Sequence, residues 1–412
     1  MSDSLGVAVI GAGMAGRAHA AAYRVAPTLY EPGLPAVRLV SIADANPGFG
    51  AAAARRFGYD RHDTSWQAVA EADDIDVVSV VIANTLHREV AQGPLAAGKH
   101  VLCEKPMSDT LDDARAMAAD ATQATPLARV GFTFRRTPGI AYIRDLVRTG
   151  VLGRVLHFSG RYWTDYGCSP SAPMSWRYRG AAGSGALADV GSHLTYVAEF
   201  LCGDIEEVSG GRLDTVITER PLPVGAVMGH DHAEVSDVTE PVANDDYAAF
   251  SVGFTGGAGG ALEASRVAAG HANSLTFEVF CENGSATFDQ RRPAEIGLFL
   301  HEDPACAGYR QVILGPQHPY LAGGLAMDAP SVGFGQNDAF GYQARAFLEE
   351  VAGLPESASL PRCTTFDEAV HNMEVLDAVA TSAATRGAAV PVPRTTSTTI
   401  TTTDPQQGED RS

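Results

Sequence analysis

The sequence predicts two domains: an α/β domain on a doubly wound parallel sheet, then an α+β domain with an open, mostly antiparallel sheet. Two observations predict this division. Up to about residue 128, short apolar strand patterns alternate with Ala-rich helical patterns, which is typical of a parallel sheet covered on both faces. From residue 129 the strand patterns are longer and are joined by Gly-containing turns, which favours antiparallel pairing.

The first domain is expected over residues 5–128. Its strand patterns are VAVI (7–10), VRLVSIA (37–43), VVSVVIA (77–83) and HVLC (100–103). Helical patterns lie between them at 15–26, 50–57 and 111–121. Because helical segments separate the strands, the strands are expected to run parallel.

The second domain is expected over residues 129–393. Its strand patterns are VLHFSGRYW (155–163), YAAFSVGF (247–254), GALEASRV (260–267) and LTFEVFC (275–281). Helical patterns cover 186–201 and 367–384. The polar, Thr-rich tail over residues 394–412 is expected to be disordered.

Composition excludes several classes of function. The 49 acidic and 30 basic residues give a net charge of −19, and such a field repels nucleic-acid phosphates and anionic lipid. The six cysteines include no CxxC pair and no metal-ligand spacing, so they are expected to be reduced and no metal site is predicted. The N-terminus lacks the basic region of a signal peptide. We therefore expect a cytoplasmic protein that binds neither nucleic acid nor membrane.

The loop Gly11-Ala12-Gly13-Met14-Ala15-Gly16 matches the pattern GxGxxG. Alone, the pattern would equally fit a glycine-rich turn of no function. Its position between a strand and a helix is typical of a dinucleotide-binding Rossmann domain. The first glycine permits a tight turn, the second lets a pyrophosphate approach, and the third lets the helix pack on its strand. Backbone N–H groups at the helix start would bind the phosphates.

Asp44, at the end of the second strand, is the candidate for the ribose-binding acid of such a domain. It lies farther on than the usual interval of about 20 residues, and the segment at 27–35 is interpreted as an insertion that accounts for the excess. A carboxylate here accepts hydrogen bonds from the ribose diol and repels a 2′-phosphate, so NAD is expected rather than NADP. A solvated turn residue is the alternative, because Arg55 and Arg56 lie downstream.

Glu104 and Lys105 directly follow the strand HVLC. Ligands of open parallel sheets bind at the carboxyl ends of the strands, so these residues are expected near the nicotinamide half of the cofactor. Pro106 disfavours helical geometry at Lys105 and makes a cis peptide bond conceivable. Taken alone, however, a lysine at a strand end is more often a solvated cation.

Asp189 and His193 lie four residues apart in the helical pattern GSGALADVGSHLTYVAEFL, beside a buried apolar stripe. Histidine titrates near neutrality and can accept a hydroxyl proton, while a neighbouring carboxylate can orient the site. Gly191 costs helix stability but permits close approach. On spacing alone, a pair that only stabilises its helix is an equal alternative.

Together these residues resemble the Gfo/Idh/MocA family of oxidoreductases over nearly the whole chain apart from the tail. The segments AGKHVLCEKPMSDT and GSGALADVGSHLTYVAEFL look like the family's EKP segment and its Asp-x-x-x-His helix. The segments NDDYAAFSVGFTGGAGGALEASR, FEVFCENGSATFD and GPQHPY strengthen the resemblance. Within the family, the pattern is similar to the sugar and inositol dehydrogenases, in particular to the levoglucosan dehydrogenase type.

The resemblance implies a cis Lys105–Pro106 bond and a sugar or cyclic polyol as substrate. It implies that Lys105 contacts the substrate hydroxyl and the nicotinamide ribose, that His193 is the acid/base and that Asp189 binds substrate. It also implies an open sheet that mediates a homodimer or homotetramer. Further cofactor contacts are expected at Asn84, His87, Glu104, Trp176 and Arg177. Polar, aromatic-rich stretches supply the substrate-pocket candidates Arg135, Tyr162 and Asp165, and Tyr196 is expected there by its position three residues after His193.

Three positions depart from the family pattern. Ala83 replaces the usual proline before Asn84, and Thr133 replaces the asparagine common two positions before Arg135. Tyr196 replaces the aspartate often found three residues after the helix histidine. The last two lie near the expected substrate pocket, so the sugar could differ from that of related enzymes.

The predicted function is NAD-dependent oxidation of a secondary ring hydroxyl of a sugar, anhydrosugar or cyclic polyol, which the resemblance places at C3 of a pyranose. His193 would take the hydroxyl proton, and Lys105 would stabilise the developing alkoxide. Two alternatives are an enzyme that uses NAD transiently to cleave a glycosidic bond, and a non-catalytic protein that senses NAD or sugar. The sequence does not identify the sugar or the physiological direction.

Overall fold

The computed structural model describes residues 4–31, 33–225, 234–301, 308–318 and 320–393. The Thr-rich tail and Cys306 lie outside the described residues. The other five cysteines are free thiols. Within the described ranges, no helix is long and apolar enough to cross a membrane.

The first sheet is doubly wound and parallel, as predicted. Its strand order is β3-β2-β1-β4-β5-β6, and each of these neighbours pairs in parallel. The strands are β1 (Ser4–Ile10), β2 (Ala36–Ala43), β3 (Arg61–Asp63), β4 (Val77–Val80), β5 (His100–Cys103) and β6 (Ala128–Val130).

Five helices connect these strands, and the three predicted ones are confirmed. They are α1 (Met14–Val25), α2 (Pro47–Phe57), α3 (Trp66–Glu71), α4 (His87–Ala96) and α5 (Leu111–Gln123). Helix α4 was not predicted, because Gly93 and Pro94 interrupt its pattern. Gly93 is needed there, since a Cβ atom would lie 2.1 Å from the Trp66 ring.

The remaining elements complete the chain. The helices are α6 (Pro138–Arg148), α7 (Ser192–Cys202), α8 (Gln336–Val351) and α9 (Phe366–Ala384). The strands are β7 (Val155–Trp163), β8 (Ile205–Asp214), β9 (Glu219–Pro223), β10 (Val235–Pro241), β11 (Tyr247–Phe254), β12 (Gly259–Ser265), β13 (Ser274–Cys281), β14 (Gly284–Asp289), β15 (Glu295–Leu300), β16 (Arg310–Ile313), β17 (Thr364–Thr365) and β18 (Val390–Pro391).

The second sheet has nine strands in the order β16-β15-β14-β13-β7-β12-β11-β8-β18. All neighbours pair antiparallel except β7 and β12, which run parallel, so the predicted mostly antiparallel sheet is confirmed. Strands β9 and β10 form a separate antiparallel pair. Apolar residues of α6, α7 and α9 belong to the same core as the inward residues of this sheet.

The chain returns to the first domain after the second sheet. Strand β17 pairs antiparallel with β6 at the edge of the first sheet. Phe347 and Leu348 of α8 share a core with Val7 and Val9 of β1. Part of the later chain therefore packs against the first sheet.

Candidate active site

The glycine loop has the conformation that a dinucleotide site requires. Gly11 has a φ of +107°, and a Cβ atom there would lie 2.0 Å from the Val81 carbonyl oxygen. A Cβ at Gly16 would lie 1.8 Å from the Gly11 oxygen, so α1 can pack this closely only with glycine. A Cβ at Gly13 would meet nothing within 4 Å, so the loop is open on that side. Met14 and Ala15 then begin α1, whose first N–H groups have no side-chain cap and can bind a pyrophosphate.

Asp44 lies at the carboxyl end of β2, against this loop. Its Oδ2 atom accepts a hydrogen bond of 2.8 Å from the Ala12 N–H, and its Oδ1 atom accepts one of 2.8 Å from the Asn46 N–H. The carboxylate is therefore fixed beside the open side of the loop, where an adenosine ribose would lie. The residues present fit NAD.

Lys105 follows β5 and reaches across to the second domain. Its Nζ atom donates a hydrogen bond of 2.7 Å to the Asp189 carbonyl oxygen and lies 3.3 Å from Asp189 Oδ1. Its side chain is only 14% exposed. The Lys105–Pro106 peptide bond is cis, as the resemblance implied. Lys105 is thus a partly buried cation paired with a carboxylate, not a solvated strand-end residue.

The helical segment that carries Asp189 and His193 differs from the regular helix expected over 186–201. Its first turn, Leu187–Gly191, is π-helical, and α7 continues from Ser192. Such π turns are frequent at functional sites. Gly191 lies in close packing, since a Cβ there would be 3.1 Å from Leu187 Cδ1 and 3.5 Å from Ala264 Cβ.

Asp245 holds the start of this segment and was not predicted as a site residue. Its buried carboxylate accepts hydrogen bonds from the N–H groups of Gly183, Gly185 and Leu187, at 2.8, 3.0 and 2.7 Å. These are donors that the beginning of a helix otherwise leaves unpaired. Asp245 therefore positions the turn that presents Asp189.

The Asp189 carboxylate is shared by three side chains. Besides Lys105, the Tyr166 hydroxyl donates a hydrogen bond of 2.6 Å to Asp189 Oδ2, and Arg177 Nε lies 3.9 Å from the same oxygen. Tyr166 was missed, although it lies in the aromatic-rich stretch that supplied Asp165. Asp165 itself contributes a turn, in which its carbonyl oxygen accepts a 3.0 Å hydrogen bond from the Cys168 N–H.

His193 lies in an aromatic environment beside this ion pair. The Phe134 ring packs edge-on at 4.8 Å, and the Tyr162 ring lies at 6.0 Å. Its Nδ1 atom is buried and has no hydrogen-bond partner in the part of the chain that the structure describes. Burial, and then the positive charge of Lys105, lower the pKa of His193 well below 6.5, and Asp189 offsets this only in part. The imidazole is therefore neutral at pH 7 and able to accept a proton.

His87 and Glu104, two of the expected cofactor contacts, make buried contacts next to the Lys105 segment. His87 is buried, with Nδ1 3.0 Å from the Pro106 oxygen and Nε2 3.2 Å from the Ile82 oxygen. Glu104 Oε1 lies 2.8 Å from His19 Nε2. Burial raises the pKa of Glu104, but the contact with His19 outweighs it and the pKa is lowered overall. Both side chains are buried and already partnered, so they stabilise the backbone on either side of Lys105.

Arg177 lies near Asp189, and its backbone is held by a buried polar network. Arg266 is paired with Asp246 at 2.7 Å, and it donates a 2.8 Å hydrogen bond to the Arg177 carbonyl oxygen. The Arg177 guanidinium lies 4.4 Å from the Trp176 ring centroid, and Trp176 is 42% exposed. Asn84, half-buried, begins the 3-10 turn Asn84–Leu86 after β4.

Arg135 and Tyr196, two of the expected substrate-pocket residues, share a contact with Thr364. The Arg135 guanidinium donates to Thr364 Oγ1 at 2.9 Å, and the Tyr196 hydroxyl lies 2.8 Å from the same atom. The two side chains line a separate cavity of about 610 Å³. We call it the arginine cavity, after Arg135, Arg144, Arg148 and Arg154 in its lining. Tyr162 lies near His193, and its hydroxyl donates a hydrogen bond of 2.7 Å to Asn273 Oδ1.

Two sequence families match the chain. Residues 5–132 match the oxidoreductase family with an NAD-binding Rossmann fold, and residues 140–287 match the GFO/IDH/MocA C-terminal domain. The chain therefore belongs to the Gfo/Idh/MocA oxidoreductases, and its first domain binds NAD. The predicted family, enzyme class and cofactor are confirmed.

Individual proteins of this family are similar to the chain over different lengths. The chain is 36% identical to levoglucosan dehydrogenase of Pseudarthrobacter phenanthrenivorans over 355 residues, or 85% of this chain and 90% of that protein. A structure of levoglucosan dehydrogenase in complex with NADH and L-sorbose matches with a TM-score of 0.85 at 34% identity, covering 95% of this chain and 99% of that one. D-glucoside 3-dehydrogenase of Escherichia coli is 30% identical over 203 residues, or 49% of this chain and 55% of that protein.

Proposed function

We propose that the protein is an NAD-dependent dehydrogenase that oxidises a secondary ring hydroxyl of a sugar, anhydrosugar or cyclic polyol to a ketone. One observation carries the proposal: a neutral, buried histidine lies beside a lysine–aspartate pair at the carboxyl end of β5. This end of a parallel sheet is where ligands bind. The similarity to levoglucosan dehydrogenase and D-glucoside 3-dehydrogenase supports a carbohydrate as substrate.

His193 is the proposed base. Its ring is neutral because burial and the charge of Lys105 both oppose protonation. A neutral imidazole can take the hydroxyl proton as the carbon is oxidised, and it returns that proton when the reaction runs in reverse. The surrounding rings of Phe134 and Tyr162 exclude water from the ring.

Lys105 is the proposed electrostatic stabiliser of the substrate oxygen. As that oxygen loses its proton it gains negative charge, and a preorganised cation beside it lowers the barrier. Asp189 holds the lysine in place through its carbonyl and its carboxylate, while Tyr166 fixes the other carboxylate oxygen. Asp189 is also placed to accept a hydrogen bond from a second substrate hydroxyl.

NAD bound by the glycine loop and Asp44 supplies the hydride acceptor. Asn84, Trp176 and Arg177 are the proposed contacts nearer its nicotinamide end. We further propose C3 of a pyranose as the oxidised carbon, by analogy with D-glucoside 3-dehydrogenase.

A substrate panel tests this function. Pyranoses, 1,5- and 1,6-anhydrosugars and inositols would be incubated with NAD and with NADP in parallel, while reduced cofactor is followed by absorbance. We expect net NADH formation with at least one ring polyol, slower turnover with NADP, and a ketone at C3 in the product by NMR. Glycoside cleavage without net NADH would favour the transient-redox alternative. Sugar or NAD binding with no turnover on any panel member would favour a sensing role.

We also propose that the face of the nine-stranded sheet opposite its helices mediates a homodimer or homotetramer. This face carries Arg161, Ser251, Glu263 and Glu278 around a shallow depression of about 630 Å³. Sedimentation of the wild-type chain tests this directly. A monomer at micromolar concentration would contradict it.

A further inference from the structure

The arginine cavity lies between α6, the end of α7 and the start of α9. The side chains that matter are Arg135, Arg144, Glu199, Phe200 and His371. Lys105, Asp189 and His193 do not line it. A volume of about 610 Å³ is that of a small-molecule site.

Two of its arginines have no carboxylate partner among the described residues. Arg144 Nη1 donates a hydrogen bond of 2.7 Å to the Phe200 carbonyl oxygen, and its guanidinium lies 3.9 Å from the Phe200 ring centroid. Arg135 lies 5.2 Å from the same centroid, and its buried Nε atom has no hydrogen-bond partner in the described structure. The other two arginines are already paired, Arg148 with Asp145 at 3.6 Å and Arg154 with Glu282 at 2.9 Å.

The acids that line the cavity are used elsewhere or exposed. Glu199 Oε1 lies 2.8 Å from His371 Nε2 and accepts a 3.1 Å hydrogen bond from the Ile205 N–H. Glu368 accepts a 2.7 Å hydrogen bond from the Thr365 N–H at the start of α9. Asp204 is exposed. Neither Glu199 nor Glu368 forms an ion pair with Arg135 or Arg144.

Arg135 and Arg144 both lie against the Phe200 ring, and neighbouring cations without a counter-ion are costly when they are shielded from water. Burial lowers the pKa of Arg144, and the neighbouring charge of Arg135 lowers it further. An anion between the two groups would relieve this repulsion. Guanidinium groups bind phosphate and carboxylate through paired, charge-assisted hydrogen bonds. Such a concentration of positive charge is also unusual on a chain with a net charge of −19.

We propose that the arginine cavity binds a small organic anion through a phosphate or carboxylate group held by Arg135 and Arg144. The Phe200 ring, Val147 and Leu201 supply apolar wall for the rest of such a ligand. The site is independent of the proposed sugar oxidation, and its occupancy can be measured without turnover.

Equilibrium dialysis with radiolabelled inorganic phosphate tests the site. The wild-type chain would be saturated with NADH, so that the glycine loop is filled, and ionic strength would be held constant with chloride. We expect saturable binding of about one phosphate per chain. Arg144→Gln should weaken binding about tenfold or more, since a charge-assisted contact is lost. Arg212→Gln, an exposed arginine on β8 that pairs with Asp214, should bind phosphate like the wild type.

Competition identifies the anion. Displacement of bound phosphate by a sugar phosphate would assign a phosphate monoester, and displacement by succinate would assign a carboxylate.

A second measurement uses only the wild-type chain, in case Arg144→Gln does not fold. Phosphate should protect Arg135 and Arg144 from modification by phenylglyoxal, and mass spectrometry would map the modified residues. Absence of saturable binding in the presence of NADH, equal binding by folded Arg144→Gln, or absence of protection would each overturn the proposal.

Discussion

The proposed catalytic centre and the arginine cavity contain the same types of side chain, paired in opposite ways. In the catalytic centre the carboxylate, Asp189, pairs with the cation Lys105, and His193 packs against the Phe134 ring. In the arginine cavity the carboxylate, Glu199, lies against His371, and Arg135 and Arg144 have no carboxylate partner in the described part of the chain. The acid thus pairs with a lysine in one region and with a histidine in the other.

The two histidines illustrate the consequence. Burial and Lys105 lower the pKa of His193, whereas for His371 burial is outweighed by Glu199 and the pKa is raised. A neutral histidine can accept a proton, and a charged one adds to the positive charge of an anion site. Helices α7 and α9 thus carry two histidines whose pKa values are shifted in opposite directions.

Replacing His193 should have the largest effect on turnover. His193→Asn removes the proposed base, and we expect kcat to fall by about 10²- to 10⁴-fold. NADH binding, measured by fluorescence titration, should change little, because the glycine loop is untouched. His62→Asn, an exposed histidine on β3, is the matched control. Near-normal turnover by the His193 variant would remove it from the mechanism.

Replacing Lys105 should come next. Lys105→Met deletes the cation proposed to stabilise the substrate oxygen, so we expect kcat to fall by about 10²- to 10³-fold. Lys99 is the other lysine of the sequence, and its Nζ donates 2.7 Å to the Ala72 oxygen. Lys99→Met should therefore retain the wild-type kcat. Equal losses in both variants would indicate that Lys105 matters only for folding.

The elements that were predicted correctly depend on local patterns. The glycine loop, Asp44 and the helix bearing His193 could be predicted because strand, loop and helix signals are adjacent in the sequence. The supporting contacts could not, because Tyr166 and Asp245 reach the segment at 187–191 from turns and strands distant in the chain. The contact that Arg135 and Tyr196 share with Thr364 could not be predicted either, because Thr364 lies on β17, far along the chain from both.

The titration of the two histidines should separate the regions further. NMR of isotope-labelled histidine should show His193 neutral below pH 6.5 and His371 still charged above it, in line with their lowered and raised pKa values. Lys105→Met should raise the pKa of His193, and Glu199→Gln should lower that of His371.

The two histidines should also affect the pH dependence of folding stability in opposite directions. His193 contributes stability above pH 6.5, and this contribution is lost as the pH falls. His371 contributes stability below pH 6.5, and this contribution is lost as the pH rises through its folded pKa. Identical titration of both residues would contradict the contrast.

Removing the Tyr166 hydroxyl should have the smallest effect. Tyr166→Phe keeps the ring but deletes the 2.6 Å hydrogen bond to Asp189 Oδ2, so the carboxylate that orients Lys105 has one restraint fewer. A hydrogen bond to a charged group contributes about 1.5–3 kcal/mol, and water entering the site replaces part of that, so we expect kcat/KM to fall by about tenfold. Because Tyr166 acts through Asp189, the double variant with Asp189→Asn should lose little more than Asp189→Asn alone. Tyr309→Phe, at a hydroxyl bonded to Ser285 far from the site in the sequence, is the control. Fully additive losses in the double variant would mean that Tyr166 contacts the substrate itself.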